Sequence, residues 1–278
     1  MQNIIQYSII PPLVNKDDKY YQKKMLDLIN ELKKLETKYK IILSIYDLID
    51  EPNRLTGEII KQKKRLKPEI YIKMFKNILK EKKVKLNVEF RLFRSIREYE
   101  TINDILSWFK NIGNKLADSF VIIGNYKNKN LRTDSVLKTL CLNFPEKKYG
   151  CILIPHRDNE LKRCKKRIEL GCSFFISQII VDDKFKETHN QIFKEINVPI
   201  YFTITHVTSK NFWKLLQTLG VKSYFDFEKK IVDDKEKMNE HLKKIYTQVQ
   251  KIKHFINFEI MSHKNSIRLF YIKLFLQI

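Results

Sequence analysis

The chain has 278 residues, 43% hydrophobic and 12% aromatic, enough to bury a substantial core and to exclude global disorder. Six glycines and seven prolines are too few for an all-β chain built on many tight turns. The 54 Lys and Arg against 32 Asp and Glu leave a formal charge of +22, which attracts polyanions such as RNA, acidic headgroups or phosphorylated cofactors.

In chain order, short β-branched or aromatic runs alternate with longer stretches of 3.6-residue period, the pattern of βαβ units and a parallel sheet. The strand runs are Ile4–Ile10, Ile41–Asp47, Leu86–Phe93, Ser119–Gly124, Gly150–Pro155, Ser173–Val181, Pro199–Thr205 and Phe255–Met261. The fourth to seventh are almost continuously apolar, as strands buried on both faces must be. Helices are predicted at Tyr20–Tyr39, Glu69–Lys82, Thr101–Leu116, Thr133–Leu142, Asn159–Leu170, Lys184–Ile196, Ser209–Leu219, Asp234–His254 and Asn265–Phe275. Thr101, Asp158 and Ser209 stand where N-caps belong, and Gly171 and Gly220 where left-handed C-cap residues belong. The densest basic run, Lys61 to Lys67, falls in a predicted solvated loop.

Eight strands each followed by a helix spell a single (β/α)₈ TIM barrel over residues 1–278. An open doubly wound sheet is the alternative, but Pro11-Pro12 follows the first strand where a glycine-rich phosphate loop would stand. The four cysteines form no CxxC pair, so no metal site is expected and a reduced, cytoplasmic compartment fits. Cys151, Cys164 and Cys172 read as small core residues. No secretory segment opens the chain, and the apolar tail Ile267–Ile278 is too short to span a membrane. Basic residues are spread over every predicted helix, so any nucleic-acid binding is expected to be weak and non-specific; a homo-oligomer is left open.

In a barrel, functional residues lie just past the strands. Those ends offer Ser8 with Pro11-Pro12, then Asp47, Glu89 and Arg91, then Gly124-Asn125. Pro155-His156-Arg157-Asp158, Gln178 and Asp182, Thr205-His206, and Glu259 complete the set. Gln178 and Asn125 are expected to share one pocket.

An ordered series of motifs adds a resemblance. It runs Tyr-Gly-Cys-Ile-Leu-Ile-Pro-His-Arg (149–157), Glu160 to Arg167, Gly171-Cys-Ser-Phe-Phe-Ile-Ser-Gln178, Pro199-Ile-Tyr-Phe-Thr and Leu219-Gly220-Val221. Tyr7-Ser8-Ile9-Ile10-Pro11-Pro12 and Phe120-Val-Ile-Ile-Gly-Asn125 precede it. The whole resembles the methylenetetrahydrofolate reductase family, most strongly in the second half.

The resemblance implies a flavoprotein oxidoreductase of folate one-carbon metabolism and methionine biosynthesis. Such an enzyme passes hydride from NAD(P)H, through FAD, to a folate substrate. It would put Gln178 against the folate ring, with His206 and Glu259 on the substrate side. Glu160 would bond cofactor hydroxyls and Arg167 a flavin phosphate, in a cofactor site completed by Gly124, Pro155 and His156. Ser8 and Asn125 stand at the catalytic positions, where the family carries carboxylates; Ile123 replaces an arginine and His156 an acid. A serine hydroxyl is no general acid near neutrality without help. The departures therefore support one alternative, a catalytically degenerate barrel acting as a binding or partner subunit; the charge of +22 alone supports another, a basic RNA-associated protein.

Overall fold

The computed structural model describes residues 3–36, 39–48, 50–53, 55–124, 131–181, 185, 190–205, 207, 209–223, 234–251 and 255–258. The eight expected strands are all present: β1 (Asn3–Ile9), β2 (Tyr39–Ile45), β5 (Val88–Ser95), β6 (Ser119–Ile123), β7 (Lys148–Leu153), β8 (Phe174–Ser177), β9 (Ile200–Ile204) and β10 (Phe255–Phe258). They close into one parallel barrel in chain order, and β10 seals it against β1 with Gln6 opposite Asn257. The numbers 3 and 4 belong to a small antiparallel pair, Glu51–Pro52 and Ile59–Ile60, outside the barrel. Sequence periodicity gave no sign of this pair, because strands of two residues are too short to show one.

Among the described residues the helices are α1 (Asp18–Glu36), α2 (Pro68–Glu81), α3 (Ile102–Trp108), α4 (Asn114–Leu116), α5 (Thr133–Asn143), α6 (Glu160–Glu169), α7 (Asn190–Glu195), α8 (Lys210–Thr218) and α9 (Lys235–Lys251). The single helix expected over Thr101–Leu116 is divided by a π turn at Phe109–Gly113. There the Trp108 ring folds back over Gly113, where a Cβ would come within 2.7 Å of it. Thr101 forms a full capping box and the Ser209 hydroxyl accepts from the Phe212 N–H. Asp158 does not cap α6. Asn159 holds that position at φ 57°, and Glu160 opens the helix. Gly171 and Gly220 take the left-handed conformation at φ 101° and 86°. The expected tail helix Asn265–Phe275 lies outside the described residues.

Alternation along each strand builds two cores. Outward residues such as Leu43, Phe120, Cys151 and Phe202 pack under the helices with Leu32, Phe75 and Leu137. Each such side chain contributes about 1.5–3 kcal/mol. Inward residues Ile42, Phe93, Val121, Phe174, Ile176 and Tyr201 form a smaller second cluster.

The barrel interior also holds a charge. Arg91, 2% exposed, donates from Nε to the Ser119 hydroxyl at 3.0 Å and from Nη1 to the Gln6 side-chain oxygen. Its guanidinium lies 3.8 Å from the centre of the Phe174 ring and 4.3 Å from that of Tyr201. These partners come from β1, β6, β8 and β9, so Arg91 spans the inside of the barrel rather than marking a strand end. Gly150 makes room for this arrangement: a Cβ there would sit 2.2 Å from the Phe174 ring.

Candidate functional site

Parallel closure brings the strand C-terminal ends to one rim, where Gln178 and Thr205 are among the incompletely partnered side chains. Gln178 follows β8. Its backbone N–H donates to the Leu153 carbonyl at 2.7 Å, fixing it against β7, and its amide nitrogen donates to the Leu219 carbonyl at 3.2 Å. Its side-chain oxygen is buried with no hydrogen-bond partner among the described residues. Thr205, one residue past β9 and 3% exposed, likewise has a buried hydroxyl without a partner. A buried polar atom left unpaired costs on the order of 1–3 kcal/mol. The two stand at the ends of neighbouring strands.

Ser8 is 3% exposed and stands in register with Ser44 of β2, whose own hydroxyl is buried without a partner among the described residues. Ser44 is in turn opposite Arg91. Beside them Tyr46 stacks on Phe93, with ring centres 4.0 Å apart, and gives the rim an aromatic wall.

Pro155 and His156 are half-buried in a turn closed by the Arg157 N–H on the Ile154 carbonyl at 3.0 Å. Glu160 anchors that turn: its carboxylate accepts from the Ile154 N–H at 2.9 Å and lies 3.3 Å from Arg163 and 3.7 Å from Arg157. Arg167, 9% exposed, donates to Asp134 at 3.4 Å and to the Ile152 carbonyl at 3.3 Å. The sequence puts Glu160 and Arg167 on one helical face, and the structure turns that face inward against β7 and α5. Gly124 is exposed at the end of β6. Asn125, Asp182, His206 and Glu259 lie outside the described residues, and with Asn125 so does the expected pairing with Gln178.

An ionic knot at the rim was not foreseen from sequence. Arg94 of β5 meets Asp47 at 2.8 Å, Glu98 at 3.2 Å and Glu69 at 3.3 Å, with the Tyr99 hydroxyl 2.7 Å from its Nε and the Trp108 ring 4.6 Å away. The acids come from the segment after β2, α2 and the segment after β5, a convergence that no spacing in the sequence reveals. Burial pushes the Asp47 carboxyl from 3.8 up to about 6 against the pull of Arg94, with Glu98 and Glu69 adding to the rise.

The folded protein therefore holds a proton that the unfolded chain releases near pH 4. Stability from this group is greatest below pH 4, falls between about pH 4 and 6, and stays lower above. The expected loss across that window is at most about 3 kcal/mol, and Asp47→Asn should flatten it. Urea denaturation of parent and variant at pH 4, 5, 6 and 7 measures the slope; equal slopes would discard Asp47 as its source.

Among the described residues no group of three or more His, Cys, Asp or Glu could hold a metal ion, and no helix is long and apolar enough to cross a membrane. All four cysteines are free thiols.

No protein-family model matches the sequence, and no curated protein matches it. Among solved structures, the chain is similar to an uncharacterized protein from Clostridium thermocellum that binds two copies of 5-methyl-5,6,7,8-tetrahydrofolic acid. The TM-score is 0.73 at 20% identity, over 99% of this chain and 94% of that one. At that identity the likeness establishes the shared barrel.

Proposed function

We propose that this protein is a folate-binding barrel that takes a reduced folate at the C-terminal ends of its strands. The observation that carries the reading is the pair of buried, unpaired polar atoms at Gln178 and Thr205. A pterin ring presents N–H donors and ring-nitrogen and carbonyl acceptors along one edge. The Gln178 oxygen can accept from such a donor, and the Thr205 hydroxyl can donate or accept. The Tyr46–Phe93 stack, at β2 and β5, offers an aromatic surface across the barrel from them. The similar barrel that binds methyltetrahydrofolate supports the same ligand class.

The finer reading is reduction of a methylene folate by NAD(P)H, with FAD as carrier. For flavin the observed side chains are a poor fit. Arg167 would have to release Asp134 and the Ile152 carbonyl to hold a phosphate, and Glu160 would have to release the Ile154 N–H. A hydroxyl at Ser8 in place of a carboxylate favours the second reading, a barrel that binds folate without reducing it quickly.

Calorimetric titration of the purified protein with 5-methyl-tetrahydrofolate tests the binding. Saturable binding is expected in the parent. Gln178→Leu, which removes the ligand's acceptor and one internal bond, should weaken it roughly tenfold. No binding in the parent, or equal affinity in the variant, would overturn the assignment. A visible absorbance band in the same preparation would restore the flavin reading.

A further inference from the structure

On the β2 and β5 side of the rim, away from Gln178 and Thr205, lies a cleft of about 360 Å³ between the end of β2, the residues following the β3–β4 pair, and the start of α2. That volume is within the range of small-molecule sites. Its outer wall is the basic run that the sequence presents as a solvated connection. In the structure the run is tied down: Arg65 forms an antiparallel bridge with Leu13, the Val14 N–H donates to the Lys64 carbonyl at 3.2 Å, and the Leu66 N–H donates to the Pro12 carbonyl at 2.9 Å.

Arg65 lines this cleft, and its guanidinium is underused. One nitrogen, Nη1, donates to the Pro11 carbonyl at 2.9 Å, while Nε is buried with no partner among the described residues. Among the described residues no carboxylate forms a salt bridge with Arg65. Lys63, Lys64 and Lys67, also on the wall, are exposed and enter none of the described ion pairs either. The acids of the floor are already engaged: Asp47 and Glu98 with Arg94, and the Asp50 carboxylate with the Gln62 N–H at 2.7 Å. The lining of the cleft thus sets four cations, Lys63, Lys64, Arg65 and Lys67, against three carboxylates, Asp47, Asp50 and Glu98, of which two share Arg94, and the balance is positive. Its remaining surface is apolar or aromatic, with Tyr46, Leu48 and Ile70 among the lining residues.

We propose that this cleft is a second ligand site, which binds the oxyanion of a small molecule through Arg65 and lodges its aromatic or aliphatic body against Tyr46. A planar guanidinium with open donors matches a carboxylate or a phosphate in a fork, and a desolvated charge-assisted bond is stronger than a neutral one. The lysines add attraction that salt screens. Burial holds the Arg65 pKa below its usual value, as desolvation does to a cation whose counter-charge is missing. The proposal stands apart from the folate reading, since neither Gln178 nor Thr205 lines this cleft and only Tyr46 serves both readings.

Two probes, phenyl phosphate and phenylacetate, distinguish the phosphate source from the carboxylate source. Each is titrated into the full chain at fixed ionic strength, with binding read by calorimetry and by the shift in melting temperature. At least one should bind saturably. Arg65→Gln should weaken it tenfold or more, and the Lys63→Ala/Lys64→Ala pair, which leaves Arg65 and its Pro11 bond in place, about threefold or more. Gln178→Leu should leave it unchanged. The proposal fails if neither probe saturates, or if both cleft variants bind as the parent does. It fails equally if Gln178→Leu loses the probe along with them, which would place the anion at the strand ends.

Discussion

Arg91→Ala is expected to cost roughly 3–5 kcal/mol of folding free energy, a large share of what a domain has. The alanine leaves a hole between Phe174 and Tyr201, and it strands the Gln6 oxygen and the Ser119 hydroxyl inside the barrel. Removing one member of a buried polar constellation is more damaging than replacing it with an apolar side chain of similar volume. Arg91→Met should therefore lose clearly less than Arg91→Ala, although Gln6 goes unpaired in both. Urea midpoints at pH 7 for the parent and the two variants measure this directly. A cost below about 1 kcal/mol for alanine would mean that the interior relaxes around the vacancy and that Arg91 organises nothing.

The second large effect concerns proton transfer at Ser8. A reductase acting on a folate imine needs an acid within hydrogen-bond reach, a contribution worth about 10²–10⁴ in rate. With serine there, the parent is expected to reduce methylenetetrahydrofolate slower than an ordinary enzyme by a factor in that range. Ser8→Glu should recover part of it, provided that the new carboxyl titrates near neutrality.

Two forces act on that carboxyl. Ser8 and Arg91 are two strand spacings apart across Ser44, roughly 10 Å. At an effective dielectric of about 20 the attraction is roughly 1.7 kcal/mol, a little over one pKa unit downward. Enclosure at a position 3% exposed acts upward by as much as about 3–5 units. Burial wins, so the substituted residue should be a usable acid. Stopped-flow oxidation of NAD(P)H by methylenetetrahydrofolate compares the two proteins. An ordinary rate in the parent would show that its proton comes from elsewhere, and no gain in a variant that still binds folate would clear Ser8 of blame.

The barrel was legible because its signal is collective. Eight apolar runs at regular intervals leave little choice of architecture, and strands buried on both faces, such as Phe174–Ser177, carry no competing polar pattern. Gln178 stood out for a related reason, as an amide at the end of an apolar run, and the structure places it just past β8. Arg91 was found but misplaced, since the sequence shows a polar residue near a strand end and not whether it points into the barrel or out of it. Arg94, Glu69 and Glu98 were missed as a group because only folding brings β2, β5 and α2 together. Arg65 was hidden differently. Within a run of lysines it looks like one more solvated charge, and only the bridge to Leu13 turns it inward. Arg167 shows the converse: spacing placed it on the face of Glu160, yet could not say that Asp134 would claim it.

The bridge between Leu13 and Arg65, with the backbone bonds of Val14 and Leu66 beside it, joins the loop after β1 to the segment that leads into α2. Two connections that would otherwise fluctuate separately are stitched into one rigid lip along this side of the barrel. Ordering a loop when a ligand arrives subtracts from affinity, and a lip ordered beforehand spares that loss. The conformational entropy of this wall is surrendered once, during folding, so whatever docks against it meets a surface already in shape.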